Sequence, residues 1–309
     1  MIRVVEVLRT VLPVAVMLFI GVLCRKKCLI SREGINALKS IVVNITLPAV
    51  LLHAFASTSY SFMDVVIPVV MFLLCFTAWI LGKLSGKLLG LTSKFVPYLT
   101  TGFEAGMLGY ALFHMLFGSS RTAEFARIDL GQVLFVFTLY KILLGTEGQQ
   151  KTDIRSLIRE MCFSPIIIAI AAGVLLGATG VYHALIPSGI SGIFDACADF
   201  ISAPTSAVIL LTIGYDLVLS DIPWLSAGKV VLLRFVILMI LRVVLIIFLR
   251  LTFPAAQLTD AINVMFILPP PFVLPVFADD PDQRVYVSSA LSLSTLVSIA
   301  AFAVFAALG

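Results

Sequence analysis

The chain has 309 residues, of which 61% are hydrophobic and 12% charged, with a mean hydropathy of +1.12. So few charges cannot cover a globule of this length, which excludes a soluble domain, and apolar runs of ~20 residues recur often enough to require a multi-span membrane protein. The formal net charge of +4 is accounted for by basic loops and gives no reason to expect nucleic acid as a partner.

An open sheet would leave unpaired backbone in lipid, so the spans must be helices. Runs and breaks together predict about ten of them, at 8–24, 35–56, 62–84, 96–117, 125–144, 165–179, 192–219, 229–249, 260–277 and 285–308. The first lacks a small-residue cleavage site and is followed by Arg25, Lys26, Lys27 and Arg32, so it reads as a span and not as a removable signal. Lys83, Lys87 and Lys94 follow the third span, Lys151, Arg155 and Arg159 the fifth, and Lys229 the seventh. The intervening loops are poorer: Ser57 to Tyr60 and Val181 to Ser188 carry no Lys or Arg, and Arg121 and Arg127 are offset by Glu124 and Asp129. The Lys/Arg bias places odd-numbered loops in the cytoplasm and both termini outside, in a multi-pass protein of the cell (plasma) membrane. The acidic loop Asp279-Asp280-Pro281-Asp282-Gln283-Arg284 falls inside only by counting.

The polar stretch from Gly145 to Glu160 reads as a linker between two five-span halves, residues 1–148 and 149–309. An odd number of spans per half requires any internal duplication to be inverted across the membrane. Ile45-Thr46-Leu47-Pro48 in span two and Ile201-Ser202-Ala203-Pro204 in span seven carry a proline at matching places. Spans four and nine then correspond as well, and both are broken. Span four contains Gly102-Phe103-Glu104-Ala105-Gly106-Met107-Leu108-Gly109, and span nine Leu268-Pro269-Pro270-Pro271-Phe272. Matched interrupted helices are a pointer to a transporter's binding site.

These segments, with Asn44-Ile45-Thr46-Leu47-Pro48, the stretch from Ala203-Pro204 to Gly214-Tyr215-Asp216-Leu217, and Ser288 to Ser298, resemble the auxin efflux carrier family over nearly the whole chain. The short central loop is similar to that of its bacterial malate and malonate permeases. The resemblance implies an all-α integral membrane fold of two inverted five-helix repeats, shared with bile acid sodium symporter-like proteins, with broken helices four and nine crossing. It further implies an elevator-like motion of spans three to five and eight to ten against spans one, two, six and seven. A small organic anion such as malate, malonate or an auxin-like acid is the implied substrate, and a homodimer the implied assembly. Span four departs from the pattern of plant members, which place a proline at the crossover where this chain has glycines and Glu104.

Glu104 is the expected ion-coupling residue. An intramembrane carboxylate is costly and usually functional, as a proton carrier, a Na+ ligand or the partner of a cationic substrate; its structural alternative is a buried counter-ion to Lys141. The proline run cannot continue a helix, so its freed carbonyls must face protein, water or a ligand. Asn44, Gly106, Met107, Asn263, Pro269, Pro270 and Pro271 are the candidate substrate-site residues. The plainer reading of the glycines is close helix packing, that of Asn44 and Asn263 interhelical hydrogen bonding, and that of Lys141 snorkelling to the cytoplasmic surface. Arg234 and Arg242 share a helix face and either draw anions into the pathway or, for Arg234, snorkel. Asp195 and Asp199 read as solvated helix-end residues, with the lining of an outer vestibule as the alternative, and the five cysteines as free thiols buried among apolar runs.

No metal-ligand spacing, phosphate-binding loop or catalytic constellation stands out, so neither a metal nor a bound cofactor beyond a coupling Na+ or H+ is expected, and an enzyme is not. The reading is a secondary transporter of an organic anion, by symport or uniport, with lipid as its surroundings. The alternatives are a ligand sensor on a transporter fold and a cation- or proton-coupled transporter of a non-carboxylate substrate.

Overall fold

Apolar stretches with few internal breakers become long helices here, and the glycine- and proline-rich ones become short helices joined by extended backbone. The computed structural model describes residues 2–58, 60–147, 159, 163–217, 224–278 and 280–308, and among these all regular structure is helix, with no strand. Most of the expected central linker lies outside the described residues, as do Asp279 and Cys162.

The helices are α1 (Ile2–Lys26), α2 (Arg32–Ala56), α3 (Met63–Leu88), α4 (Val96–Leu99), α5 (Ala105–Phe117), α6 (Thr122–Gly145), α7 (Pro165–Ala178), α8 (Val181–Ala184), α9 (Ile190–Asp216), α10 (Trp224–Thr252), α11 (Thr259–Ile267) and α12 (Pro281–Leu308). Six of them, α2, α3, α6, α9, α10 and α12, are long and apolar enough to cross a membrane, and α5 and α7 are shorter apolar helices. The chain is a multi-pass membrane protein on these grounds. Its outer surface agrees. Leu232, Val236, Ile240, Val243, Ile247 and Leu251 of α10 are all exposed, and their spacing of three and four residues makes one continuous apolar stripe of the kind that faces lipid.

The residues divide into two compact units interleaved in sequence: residues 1–64, 106–126 and 159–217 form one, and 65–105, 127–158 and 218–309 the other. In the first unit α1 packs on α9 and α7 on α2. Both contacts are made through glycine. A Cβ on Gly21 would lie 2.2 Å from the Leu211 carbonyl oxygen, and one on Gly214 2.2 Å from that of Leu18; Gly173 and Gly177 approach the α2 backbone in the same way, with Cβ positions 2.8 Å from the Leu52 and 2.7 Å from the Phe55 carbonyl oxygen. Glycine lets helix backbones approach where lipid supplies no hydrophobic drive for association. Inside α2, Pro48 offers no N–H, and the turn ahead of it widens, the Leu47 N–H donating to the Val42 carbonyl. Asp216, at the C-terminal end of α9, is paired with both Arg32 and Lys39 of α2.

Asp195, in the second turn of α9 and 36% exposed at its side chain, accepts from the Tyr182 hydroxyl at 2.8 Å and lies 3.0 Å from the His53 ring. Of the cysteines, Cys24 and Cys75 are buried, whereas Cys28 and Cys197 are exposed.

In the second unit α3 and α6 approach at Gly131, whose Cβ position is 2.2 Å from the Pro68 carbonyl oxygen. Beside that contact Phe72 meets Phe135 edge-on and Phe135 in turn meets Tyr140, and Met71, Phe135 and Tyr140 are fully buried. α10 packs against α4, α11 and α12. That arrangement carries the middle of α10 to both chain breaks.

Candidate functional site at the paired helix breaks

α4 ends at Leu99, residues 100–104 are non-helical, and α5 begins at Ala105 with a widened π turn through Gly109. Gly102 supplies the reversal: its φ is +65°, and a Cβ would lie 2.9 Å from Pro271 Cγ. Conformation and space both call for glycine there. The other break follows α11. Leu268 is extended (φ −68°, ψ 152°), as a residue before proline prefers to be, and helical geometry returns only in the 3₁₀ turn Leu274–Phe277.

The two breaks lie side by side in the second unit and bond to each other. The Glu104 N–H donates to the Pro269 carbonyl at 2.9 Å, and the Phe272 N–H donates to Glu104 Oε2 at 2.6 Å. Glu104, from the glycine break, therefore holds the proline break at two points, through its backbone N–H and through its carboxylate. Bonds from a backbone N–H to a carboxylate are among the stronger ones, because one partner is charged.

Broken helices leave carbonyls without partners at the C-terminal ends of their halves. Here a single side chain takes most of them. Arg234, from the middle of α10 and only 4% exposed, donates to Leu99 (3.1 Å), Thr101 (3.2 Å), Gly102 (2.7 Å) and Leu268 (2.9 Å). A planar guanidinium has its donors in a fixed fork, so one residue can hold two chain segments at once. Phe103 lies under its cationic face at 5.4 Å and rests in turn on Phe266. The neighbouring backbone groups are matched too. Tyr140 donates its hydroxyl to the Tyr98 carbonyl, Thr101 bonds to the Cys75 carbonyl, and the Phe103 N–H donates to Gln132, which itself donates to Asp129. The result is an irregular backbone in which the protein supplies the partners that water would otherwise provide.

Of the residues singled out in the sequence, Glu104, Pro269, Pro270 and Pro271 come together at this crossing. Asn263 belongs to the same unit, half-buried on α11, and its carbonyl oxygen accepts from Arg242 Nε (2.9 Å) and an Arg242 terminal nitrogen (2.6 Å). Lys141 sits in the same unit with its ammonium 4.6 Å from the Phe137 ring. Gly106 and Met107, in the π turn that opens α5, and Asn44, on α2, belong to the first unit. Asn44 is exposed and its amide donates to the backbone and hydroxyl of Ser40 one turn earlier; Gly106 faces Leu47.

Two sequence expectations need correction. Arg234 does not snorkel, because its terminal nitrogens are committed to backbone carbonyls in a buried position. Asp129, counted among loop charges, is buried inside α6 beside Gln132. For Arg234 the sequence offered only its place among the four basic residues, with Lys229, Arg242 and Arg250, of a largely apolar 29-residue helix. Among the described residues no group of three His, Cys, Asp or Glu is placed to hold a metal ion. The chain matches no protein-family model and no curated protein sequence.

Proposed function

We propose that the protein is a secondary transporter of the auxin efflux carrier type that moves a small organic anion, such as malate, malonate or an auxin-like acid, across the cell membrane. The observation that carries this reading is the hydrogen-bonded pair of broken helices, Glu104 with Pro269 and Phe272, pinned by Arg234. Non-helical backbone at membrane depth is sustained where it serves a pathway, and this break is built with care that a mere packing defect would not need.

The helix pairing supports two inverted five-helix repeats and ten spans. Spans one and seven pack together, as do spans six and two, and exchanging the halves turns the first pair into the second. The interleaved division into two units supports an elevator-type mechanism: spans one, two, six and seven fall in one unit, and three, eight, nine and ten in the other, with span four divided at residue 105 and the start of helix α6 at residue 126. In this reading both termini are extracytoplasmic, the assembly is a homodimer in lipid, and no enzymatic step is involved.

Glu104 gives the site a negative charge, so a carboxylate substrate is best accommodated when a proton or Na+ accompanies it. That carboxylate equally favours a second reading, in which the substrate is a cation. Uptake of radiolabelled dicarboxylates, monocarboxylates and organic cations into proteoliposomes, with and without proton and Na+ gradients, decides between them. The expected result is carboxylate uptake stimulated by one gradient, and loss of that stimulation with retained binding in Glu104→Gln. Uptake of no compound above empty vesicles would overturn the transporter reading, and unchanged gradient dependence in Glu104→Gln would leave Glu104 as a structural carboxylate.

A further inference from the structure

We infer that a cleft beside the helix crossing, bordered by α10, α11 and α12, binds a small monovalent anion. The cleft encloses about 20 Å³ of cavity space and is lined by Arg234, Phe235, Leu268, Ser294, Val297 and Ser298, all within the second unit. Three features of its lining point to a negatively charged occupant.

The first is a buried cation without an ion pair. All four acceptors of Arg234 are neutral backbone carbonyls, and among the described residues no carboxylate forms an ion pair with it. The Glu104 carboxylate accepts from Phe272, and the Asp129 carboxylate from Gln132. Hydrogen bonds to carbonyls satisfy the donors of a guanidinium but leave its net charge in place, and a buried cation is stable only with a counter-charge or polar surroundings.

The second feature is spare donors. A guanidinium has five N–H groups, and the four bonds above use the terminal nitrogens, so Nε has no protein acceptor among the described residues. Ser294 is 4% exposed and lines the same cleft, and its hydroxyl likewise has no protein partner among the described residues. Ser298, 2% exposed, donates to the Ser294 carbonyl and keeps its lone pairs. The donors on offer thus exceed the acceptors.

The third feature is the rim. Phe235, Leu238 and Val297 make the rim apolar, with Phe235 and Val297 exposed on the same apolar outer surface, and a charge pair gains strength as the local dielectric falls. The cleft is narrow, which suits a halide or the carboxylate end of a small acid. These two share one chemistry, a compact monovalent acceptor.

The test uses the purified full-length protein in chloride-free detergent solution, with no gradient, so its outcome is separate from any result on uptake. Chloride is titrated in and its ³⁵Cl line width followed, with bromide and acetate as competitors. The expected result is excess broadening that bromide displaces, reduced at least ~5-fold by Ser294→Val while the melting temperature without chloride stays within ~2 °C of wild type. Displacement by acetate at lower concentration than by bromide identifies a carboxylate as the natural occupant; the reverse order identifies a halide. Broadening that no competitor removes, or that survives unchanged in both Ser294→Val and Arg234→Lys, would overturn the assignment. Because Arg234→Lys also disturbs the helix breaks, the serine variant carries the decision if the lysine variant does not fold.

Discussion

Replacing Arg234 separates the structural demand of the broken helices from everything else the second unit does. Arg234→Leu strips the donors from the carbonyls of Leu99, Thr101, Gly102 and Leu268, all in a buried setting. Each acceptor left alone costs ~1–3 kcal/mol. The total is offset because a guanidinium no longer has to be desolvated, so a net loss of about 3–5 kcal/mol is expected, in the range seen when one partner of a buried charged network is removed. Arg234→Lys keeps the charge but gathers three donors on one nitrogen, which cannot reach carbonyls on both chain segments, so roughly 1–3 kcal/mol is lost. With ~2–4 °C of melting temperature per kcal/mol for a unit of this size, the leucine variant should melt roughly 6–20 °C below wild type and the lysine variant in between. Arg242→Leu is the control, because Arg242 is half-buried and its hydrogen bonds go to one side chain, Asn263. Its expected shift is a few degrees at most. Thermal melts of purified protein in detergent, followed by intrinsic fluorescence, give the ranking. A leucine variant as stable as wild type would refute the argument that Arg234 holds the breaks, and a lysine variant as stable as wild type would refute the argument that the fork is needed.

Two glycines give independent checks. Gly102→Ala should destabilise by more than the ~1–2 kcal/mol of left-handed backbone alone, because its Cβ would also meet the Pro271 ring at 2.9 Å. Gly180→Ala, with a similar φ of +72° and nothing within 4 Å, should show the conformational cost by itself, and equal losses at the two sites would remove the contact from the account. Gly214→Ala forces a methyl to within 2.2 Å of the Leu18 carbonyl oxygen and should lower stability by ~1–3 kcal/mol by parting α1 from α9. Combined with Gly21→Ala, on the other side of the same contact, the losses should fall short of additive, since the first substitution has already opened the space; full additivity in chemical-denaturation midpoints would show that the two do not share a contact.

The breaks were legible in sequence because their causes are local. Three prolines in a row remove three donors, and no arrangement of neighbours restores them. Gly102 announced flexibility but not the sign of its φ, which depends on the chain having to turn beside Pro271. The site residues were legible only in part. Glu104 stood out as a carboxylate in an apolar run, and it does lie at the crossing, yet its bond to Phe272 joins residues 168 positions apart, a separation at which composition carries no signal. Asn44 and Asn263 looked alike as isolated amides in spans; one bonds back to Ser40 within its own helix and the other accepts from Arg242 across two helices. Nothing local distinguishes them.

The sequence by itself determined that this is a helical membrane protein, roughly where its helices run and where two of them must break, because hydropathy, proline stereochemistry and the need to satisfy backbone groups in lipid all act over a few residues. Only the tertiary structure decided which breaks meet, which side chains serve the freed carbonyls, and how the chain sorts into two interleaved units. Those outcomes depend on how helices distant in sequence approach, and that approach is set by glycine contacts and one buried guanidinium whose partners lie 34 to 135 residues away.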